Sequence, residues 1–377
     1  MTRLAATASP KHQGRLSTTI LGIGTATPTA VSQERILDVA MDLGCHGPEQ
    51  RAWLKRLSLR SGIKSRGSVL ARDGDDQLEA PRKFYPPATG PNDRGPTTAA
   101  RMERYAREAP VLALQAAAAA LEDAQVDPGQ ITHLITASCT GFFSPGLDAT
   151  LIEKLSLPRE VQRLHVGFMG CHAAFNALAA ARDAAANPNA KVLVCCVELC
   201  SLHLAYGTDP GKLVANALFA DGAAAAVIGR ISDGGEGAWH LDDFSSYLIP
   251  DSPDAMTWTI GDHGFEMTLA AGVPAIIRRH LGSWCESWLA RRDLNISDIA
   301  GWAIHPGGPK ILAAVGEALE LEPEDLRFSQ AVLARHGNMS SATILFILRQ
   351  MAGEVSGPCV AIGLGPGLMA EGMLLNR

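Results

Sequence analysis

Short apolar runs alternate along the chain with longer amphipathic or alanine-rich stretches, the pattern expected where helices pack on the faces of a sheet. The runs predict strands over 18–24, 133–137, 191–197, 223–228, 300–305 and 358–363. The 3.6-residue periodicity predicts helices over 33–43, 101–124, 171–186, 273–291, 309–320 and 340–351. The Ala116–Ala120 run strengthens the second of these, since alanine has the highest intrinsic helix propensity. The fold class is therefore α/β.

Residues 67–96 are richer in glycine, proline and charge than their surroundings and are expected to run over the surface. Asp233-Gly234-Gly235-Glu236-Gly237 follows an apolar strand and precedes a change of pattern, so it reads as a linker dividing the chain into 1–232 and 233–377. Each part alternates helices and strands in the same manner. That allows an internal duplication, although no residue-level repeat is visible.

A chain of 377 residues that is 47% hydrophobic can bury a large core. Its net charge of −6 excludes a general binder of nucleic acid or anionic membrane, so any anionic ligand must meet a local basic patch. No uninterrupted apolar stretch is long enough to span a bilayer, and residues 1–17 lack the apolar core of a signal peptide. A cytoplasmic protein with no membrane insertion is expected. The eight cysteines are scattered and several lie in apolar runs, as in Val194-Cys195-Cys196-Val197, so they read as buried thiols. Metal-ligand spacings are absent, and no metal or cofactor is expected.

One cysteine stands apart. Cys171 lies in Gly167-Phe168-Met169-Gly170-Cys171-His172, at the start of a predicted helix, where the helix dipole favours a thiolate. Gly170 permits the tight turn that would expose the sulfur. His305 ends an apolar strand and is followed by Pro306-Gly307-Gly308-Pro309, a loop whose backbone can approach a ligand closely. Asn338, between Gly337 and Met339-Ser340-Ser341, could cap a helix. Alternatively, its amide and the His305 ring donate to a thioester oxygen as charge develops there. Cysteine, histidine and asparagine together suggest covalent acyl transfer, with an ion-paired Cys171 and His305.

These segments, with Ala217-Leu218-Phe219-Ala220-Asp221-Gly222-Ala223 and Gly363-Leu364-Gly365-Pro366-Gly367, resemble the type III polyketide synthases, the chalcone and stilbene synthase family. The resemblance runs from about Thr18 to the C-terminus and is nearest the microbial branch. It implies a thiolase-like fold of two related αβαβα halves in five layers, and a homodimer. It also implies iterative decarboxylative condensation of malonyl-CoA onto an acyl-CoA starter held on Cys171, with cyclisation to a pyrone, a resorcinol or a related aromatic. His305 and Asn338 would stabilise the enolate. CoA would be met by Lys55, Arg56, Arg60 and Lys310, with Trp53 where plant members carry lysine and Lys55 placed to compensate. The pocket would be lined by Cys139, Thr140, Cys200, His203, Phe219, Trp258, Met267, Gly308, Ser340 and Pro366. Phe219 is one of two gating phenylalanines, Met267 replaces the other, and Trp258 stands at a glycine position. Ser144-Pro145 stands where plant members place a methionine that crosses the dimer interface.

Three alternatives remain at this stage. A β-ketoacyl-ACP synthase III uses the same three residue types but a different histidine loop. A papain-like hydrolase also orders Cys, His and Asn, yet the cysteine context here disagrees. A non-catalytic binding module would leave Cys171 structural, and Gly22-x-Gly24 gives little support to a dinucleotide site because Thr27 stands where a third glycine would.

Overall fold

The computed structural model describes residues 17–44, 47–71, 83–231 and 237–377. In chain order the strands are β1 (Ser17–Ala26), β2 (Ala30–Ser32), β3 (Ser65–Gly67), β4 (His133–Ser138), β5 (Gln162–Gly167), β6 (Val192–Leu199) and β7 (Asp221–Ile231). They continue with β8 (Trp239–Leu248), β9 (Met256–Gly261), β10 (Gly264–Leu269), β11 (Gly301–Ile304), β12 (Pro358–Gly365) and β13 (Met369–Asn376). Nine of them form one sheet in the order β11-β12-β13-β8-β1-β7-β6-β4-β5. Only two residue pairs, Thr19–His240 and Ile20–Trp239, join β1 to β8 at its middle.

On either side of that seam the pattern repeats. From β1 outward, β7 and β6 are antiparallel and β4 is parallel to β6. From β8 outward, β13 and β12 are antiparallel and β11 is parallel to β12. The two halves thus share their first four strands outward from the seam, and β5 pairs parallel with β4 beyond them in the first half.

Alternation along the strands builds the layers, because successive side chains point to opposite faces. Val192, Val194 and Cys196 of β6 face a central layer with Cys359 and Ala361 of β12, around helices Ala173–Ala184 and Thr343–Met351. Leu193, Cys195 and Val197 face outward onto helix Thr98–Asp123. Val360, Ile362 and Leu364 face helices Val273–Ala290 and Pro309–Ala318 on the other outside. Helix, sheet, helix, sheet, helix is the five-layered thiolase-like arrangement. Gly22 and Gly24 serve this packing: a Cβ on Gly24 would lie 2.1 Å from the Ala116 carbonyl oxygen, so the strand and the alanine-rich helix touch backbone to backbone. That close approach accounts for the glycine pair without a dinucleotide.

All six predicted strands and six predicted helices are present, with shifted ends. Two helices start later than expected. Cys171 lies in a 3₁₀ turn, Gly170–His172, ahead of Ala173, and Ser340 lies in the matching turn Ser340–Ala342 ahead of Thr343. The stretch expected on the surface is only partly so. Leu70 and Tyr85 are buried, and the Tyr85 hydroxyl donates to the Ser201 carbonyl at 2.9 Å. Residues 72–82 lie outside the described residues, as does the expected linker except for Gly237. The seven described cysteines are buried free thiols, and Cys45 is outside the described residues.

Candidate active site

Three segments from distant parts of the chain meet where the two central helices begin. Gly170 takes φ 81°, and a Cβ there would fall 2.2 Å from Pro366 Cδ, so glycine is required by both backbone and space. The turn is fastened by Cys139, whose Sγ accepts from the Gly170 N–H at 2.9 Å and donates to the Gly170 carbonyl at 3.3 Å. His305 follows β11, its N–H donating to the Ile362 carbonyl at 2.8 Å. Asn338 follows helix Arg327–His336 and is locked by its backbone: its N–H donates to Leu218 O at 2.9 Å, and its carbonyl accepts from Ala220 N–H at 2.8 Å. Its Oδ1 accepts from the Ser340 N–H at 2.8 Å, which turns the amide nitrogen the other way. Capping is therefore one part of its role, carried by the oxygen.

Cys171, His305 and Asn338 line one small cavity of about 30 Å³. All three are buried, yet Asn338 Nδ2 and both His305 ring nitrogens have no hydrogen-bond partner. Buried polar atoms without partners are uncommon and each costs about 1–3 kcal/mol. Donors left open beside a thiol are what an incoming thioester oxygen would satisfy.

Burial works against either charge taken singly. It pushes the Cys171 thiol up to about 12, partly offset by the side chains of Ser340 and Asn338. It pulls His305 down to about 3, helped by the nearby His172 and opposed by Asn338. Ionising one group without the other is therefore strongly disfavoured, and across the neutral range the two groups hold a single proton between them. At neutrality burial therefore favours the uncharged thiol and imidazole over the ion pair expected from the sequence.

The cavity opens on two sides. Inward, Cys171, Ala215, Phe219, Met256 and Met267 are shared with a chamber of about 50 Å³. Nine of the predicted pocket residues line that chamber: Cys139, Thr140, Cys200, His203, Phe219, Trp258, Met267, Ser340 and Pro366. The β9–β10 hairpin roofs it. Trp258 Nε1–H donates to the Cys139 carbonyl at 2.8 Å. His203 Nδ1 accepts from the Phe265 N–H at 3.0 Å, which makes Nε2 the donor to Thr140 O at 2.6 Å. With both nitrogens engaged and burial holding it down to about 3, His203 is a neutral clamp on the roof.

Outward, Gly211, Val214, Leu218, Leu269, Gly307 and Ile311 are shared with a mouth of about 400 Å³. Trp53, Arg56, Arg60 and Lys310 line it. Two expectations change here. Lys55 is exposed and does not line the mouth, because on helix Pro48–Arg60 positions 53, 56, 57 and 60 share a face that position 55 does not. Lys55 therefore does not compensate for Trp53. Gly308 belongs to the mouth instead of the chamber, where an added Cβ would meet Leu218 Cδ1 at 3.1 Å.

Sequence reasoning missed Glu198. Fully buried at the end of β6, it accepts from the Cys139 N–H at 3.0 Å, the Thr140 hydroxyl at 2.7 Å and the Ser341 hydroxyl, tying both halves together under the nucleophile. Burial raises its carboxyl pKa. The available signal was a lone acid inside the apolar run Val192–Leu199.

Comparisons with known proteins identify the family. Residues 6–232 match the family "Chalcone and stilbene synthases, N-terminal domain", and residues 241–377 match its C-terminal domain. The chain belongs to the chalcone and stilbene synthase family and is a type III polyketide synthase, an acyltransferase-type condensing enzyme. It is 34% identical over 368 residues to 1,3,6,8-tetrahydroxynaphthalene synthase of Streptomyces peucetius subsp. caesius, covering 95% of this chain and 93% of that one. It is 32% identical over 372 residues to the alpha-pyrone synthesis polyketide synthase-like Pks18 of Mycobacterium tuberculosis, covering 95% and 90%. Among solved structures, PKS-I from the brown alga Ectocarpus siliculosus superposes with a TM-score of 0.88 at 30% identity, covering 97% of this chain and 100% of that one. The C-terminal type III domain of Steely1 from Dictyostelium gives 0.85 at 28% identity, covering 96% and 99%. The carrier-protein-dependent synthase and the papain-like hydrolase are not favoured.

Proposed function

We propose that the enzyme loads an acyl-CoA starter onto Cys171, extends it with malonyl-CoA, and cyclises the chain to a pyrone or an aromatic polyketide. The carrying observation is the set of unpartnered buried donors on His305 and Asn338 that share one cavity with the Cys171 thiol. Proton transfer to His305 frees the sulfur, which attacks the starter carbonyl and expels CoA. Malonyl-CoA then loses CO₂, and the electron pair of the broken C–C bond becomes an enolate whose oxygen is held by His305 and Asn338. Its carbon attacks the Cys171 thioester and displaces the thiolate; the lengthened chain returns to Cys171 for another round.

The mouth suits CoA, since Arg56, Arg60 and Lys310 present cations around a path that leads inward to the sulfur. No other cofactor is required by this chemistry. The names of the relatives, a tetrahydroxynaphthalene synthase and a pyrone synthase, support the product classes. A homodimer acting in the cytoplasm completes the reading. The edge strand β5 with exposed Leu164, and the neighbouring exposed Phe142 and Met169, support such an interface. No described helix is long and apolar enough to cross a membrane.

Short, aromatic and long-chain acyl-CoAs incubated with malonyl-CoA should yield CO₂ and new product masses that disappear in Cys171→Ala. Strict dependence on a malonyl carrier protein overturns the proposal. Alanine at Arg60 or Lys310 should raise KM for malonyl-CoA several-fold in a salt-dependent way, whereas Lys55→Ala should leave it unchanged.

A further inference from the structure

A second imidazole stands directly behind the nucleophile and belongs to none of the cavities described above. His172, the residue after Cys171, is 2% exposed and packs on Gly365, where an added Cβ would come within 2.3 Å of His172 Cδ2. Its Nδ1 is 3.0 Å from Asn176 Oδ1. The Asn176 amide nitrogen donates in turn to Glu371 Oε1 at 3.2 Å, and the Ser246 hydroxyl donates to the other carboxylate oxygen. This direction of bonding is set from the far end: a carboxylate only accepts, so Asn176 presents its oxygen to His172, and His172 carries its proton on Nδ1. The chain of bonds leads from the nucleophile turn through the central helix to β13.

The titratable groups that face His172 are Cys171 on its own turn, His305 from the end of β11 and Glu371 from β13. β12 presents Gly365 there. We propose that His172, oriented by Asn176 and Glu371, is a positioning residue for the condensation: it keeps an uncharged imidazole behind the Cys171 turn, so that His305 alone takes the thiol proton. Were His172 to become a cation, two like charges would stand in one buried site, and transfer of the thiol proton to His305 would be opposed.

The electrostatics agree with that division of labour. Burial lowers the His172 pKa, while Asn176 and the Glu371 charge act to raise it. A positive charge on His172 pulls His305 down further. Of the two imidazoles His172 alone has a carboxylate, Glu371, acting to support its charge, and a proton gained there would oppose transfer to His305. Reactivity of Cys171 should then drop through a step and not merely drift.

This inference rests on Cys171 and His305 as nucleophile and base, which the loss of product in Cys171→Ala tests separately. The direct experiment is the pH profile of Cys171 alkylation by iodoacetamide between pH 4.5 and 7, followed by mass spectrometry of the Cys171 peptide in the full-length enzyme. The wild type should lose reactivity through one step, by roughly threefold or more, the effect of about half a pK unit of like-charge interaction. His172→Gln, which can still donate to Asn176, should abolish the step. Glu371→Gln, which keeps an acceptor but removes the charge, should move it to lower pH. A residue that merely fills space would leave the profile unchanged in both variants. A wild-type profile without a step, or a step at the same pH in either folded variant, overturns the proposal.

Discussion

Replacing His305 by glutamine isolates what the imidazole does for the sulfur. With the thiol at about 12, an unaided Cys171 thiolate lies about five pK units from neutrality, about 7 kcal/mol at pH 7. Making the imidazolium instead of releasing the proton to water costs about four further pK units, about 5 kcal/mol, because His305 is held at about 3. Two opposite charges 4 Å apart at an effective dielectric of 20 attract by about 4 kcal/mol, and the helix N-terminus adds roughly 0.3–1 kcal/mol. The two routes to the thiolate are therefore of similar cost at pH 7, and glutamine, which keeps a donor but cannot accept the proton, leaves only loss to water. An ion pair formed by proton transfer from Cys171 to His305 does not depend on bulk pH until a second proton is bound or the transferred one leaves. Iodoacetamide labelling of the Cys171 peptide should thus flatten below about pH 6 in the wild type. In His305→Gln it should keep falling about tenfold per pH unit as the pH is lowered. A variant that labels at the wild-type rate and flattens in the same way would refute the proton transfer and assign activation to the helix terminus alone.

Acid should destabilise the fold through its buried imidazoles. His203 and His305 are held at about 3, below the unfolded value near 6.5, so each is neutral when folded and charged when unfolded. Their contribution is fully present above pH 6.5 and is lost as pH falls toward 3, with a slope approaching about 3 kcal/mol per pH unit for two protons. A urea midpoint that does not change between pH 7 and pH 5 would contradict this. Gly170→Ala should cost at least about 1–2 kcal/mol for the positive φ, with the Pro366 clash added, and should cut kcat well before it unfolds the protein. Melting curves and steady-state rates separate the two effects, and a variant with unchanged kcat would show that the turn tolerates displacement. Trp258→Gly removes a chamber wall and the hydrogen bond to the Cys139 carbonyl, so it should enlarge the chamber and lengthen or alter the product. Identical product masses across several starters would take Trp258 out of the specificity wall.

The chemistry was legible because its signals are local. A glycine before Cys171, a glycine-proline loop after His305 and a helix start after Asn338 each advertise a backbone that must bring one side chain to a ligand. The apolar alternation of β6 and β12 likewise announced strands covered on both faces. Strands such as β8, with its acidic and serine positions, carry no comparable signal and are recognised only by the neighbours that pair with them. Lys55 was misplaced for a related reason: a cluster of charges in sequence does not say which of them share a helical face, and position 55 turns away from the face shared by positions 53, 56 and 60.

By itself, then, the order of residues determined the family and the class of fold, since propensity, periodicity and glycine placement act over a few residues. Tertiary structure decided how the reacting groups behave. It buried the thiol and imidazole around one cavity, set Glu198 beneath both halves, and placed His172 against Asn176 and Glu371. Desolvation and hydrogen bonding depend on what packs around a group from remote segments, and no local pattern in the chain encodes them.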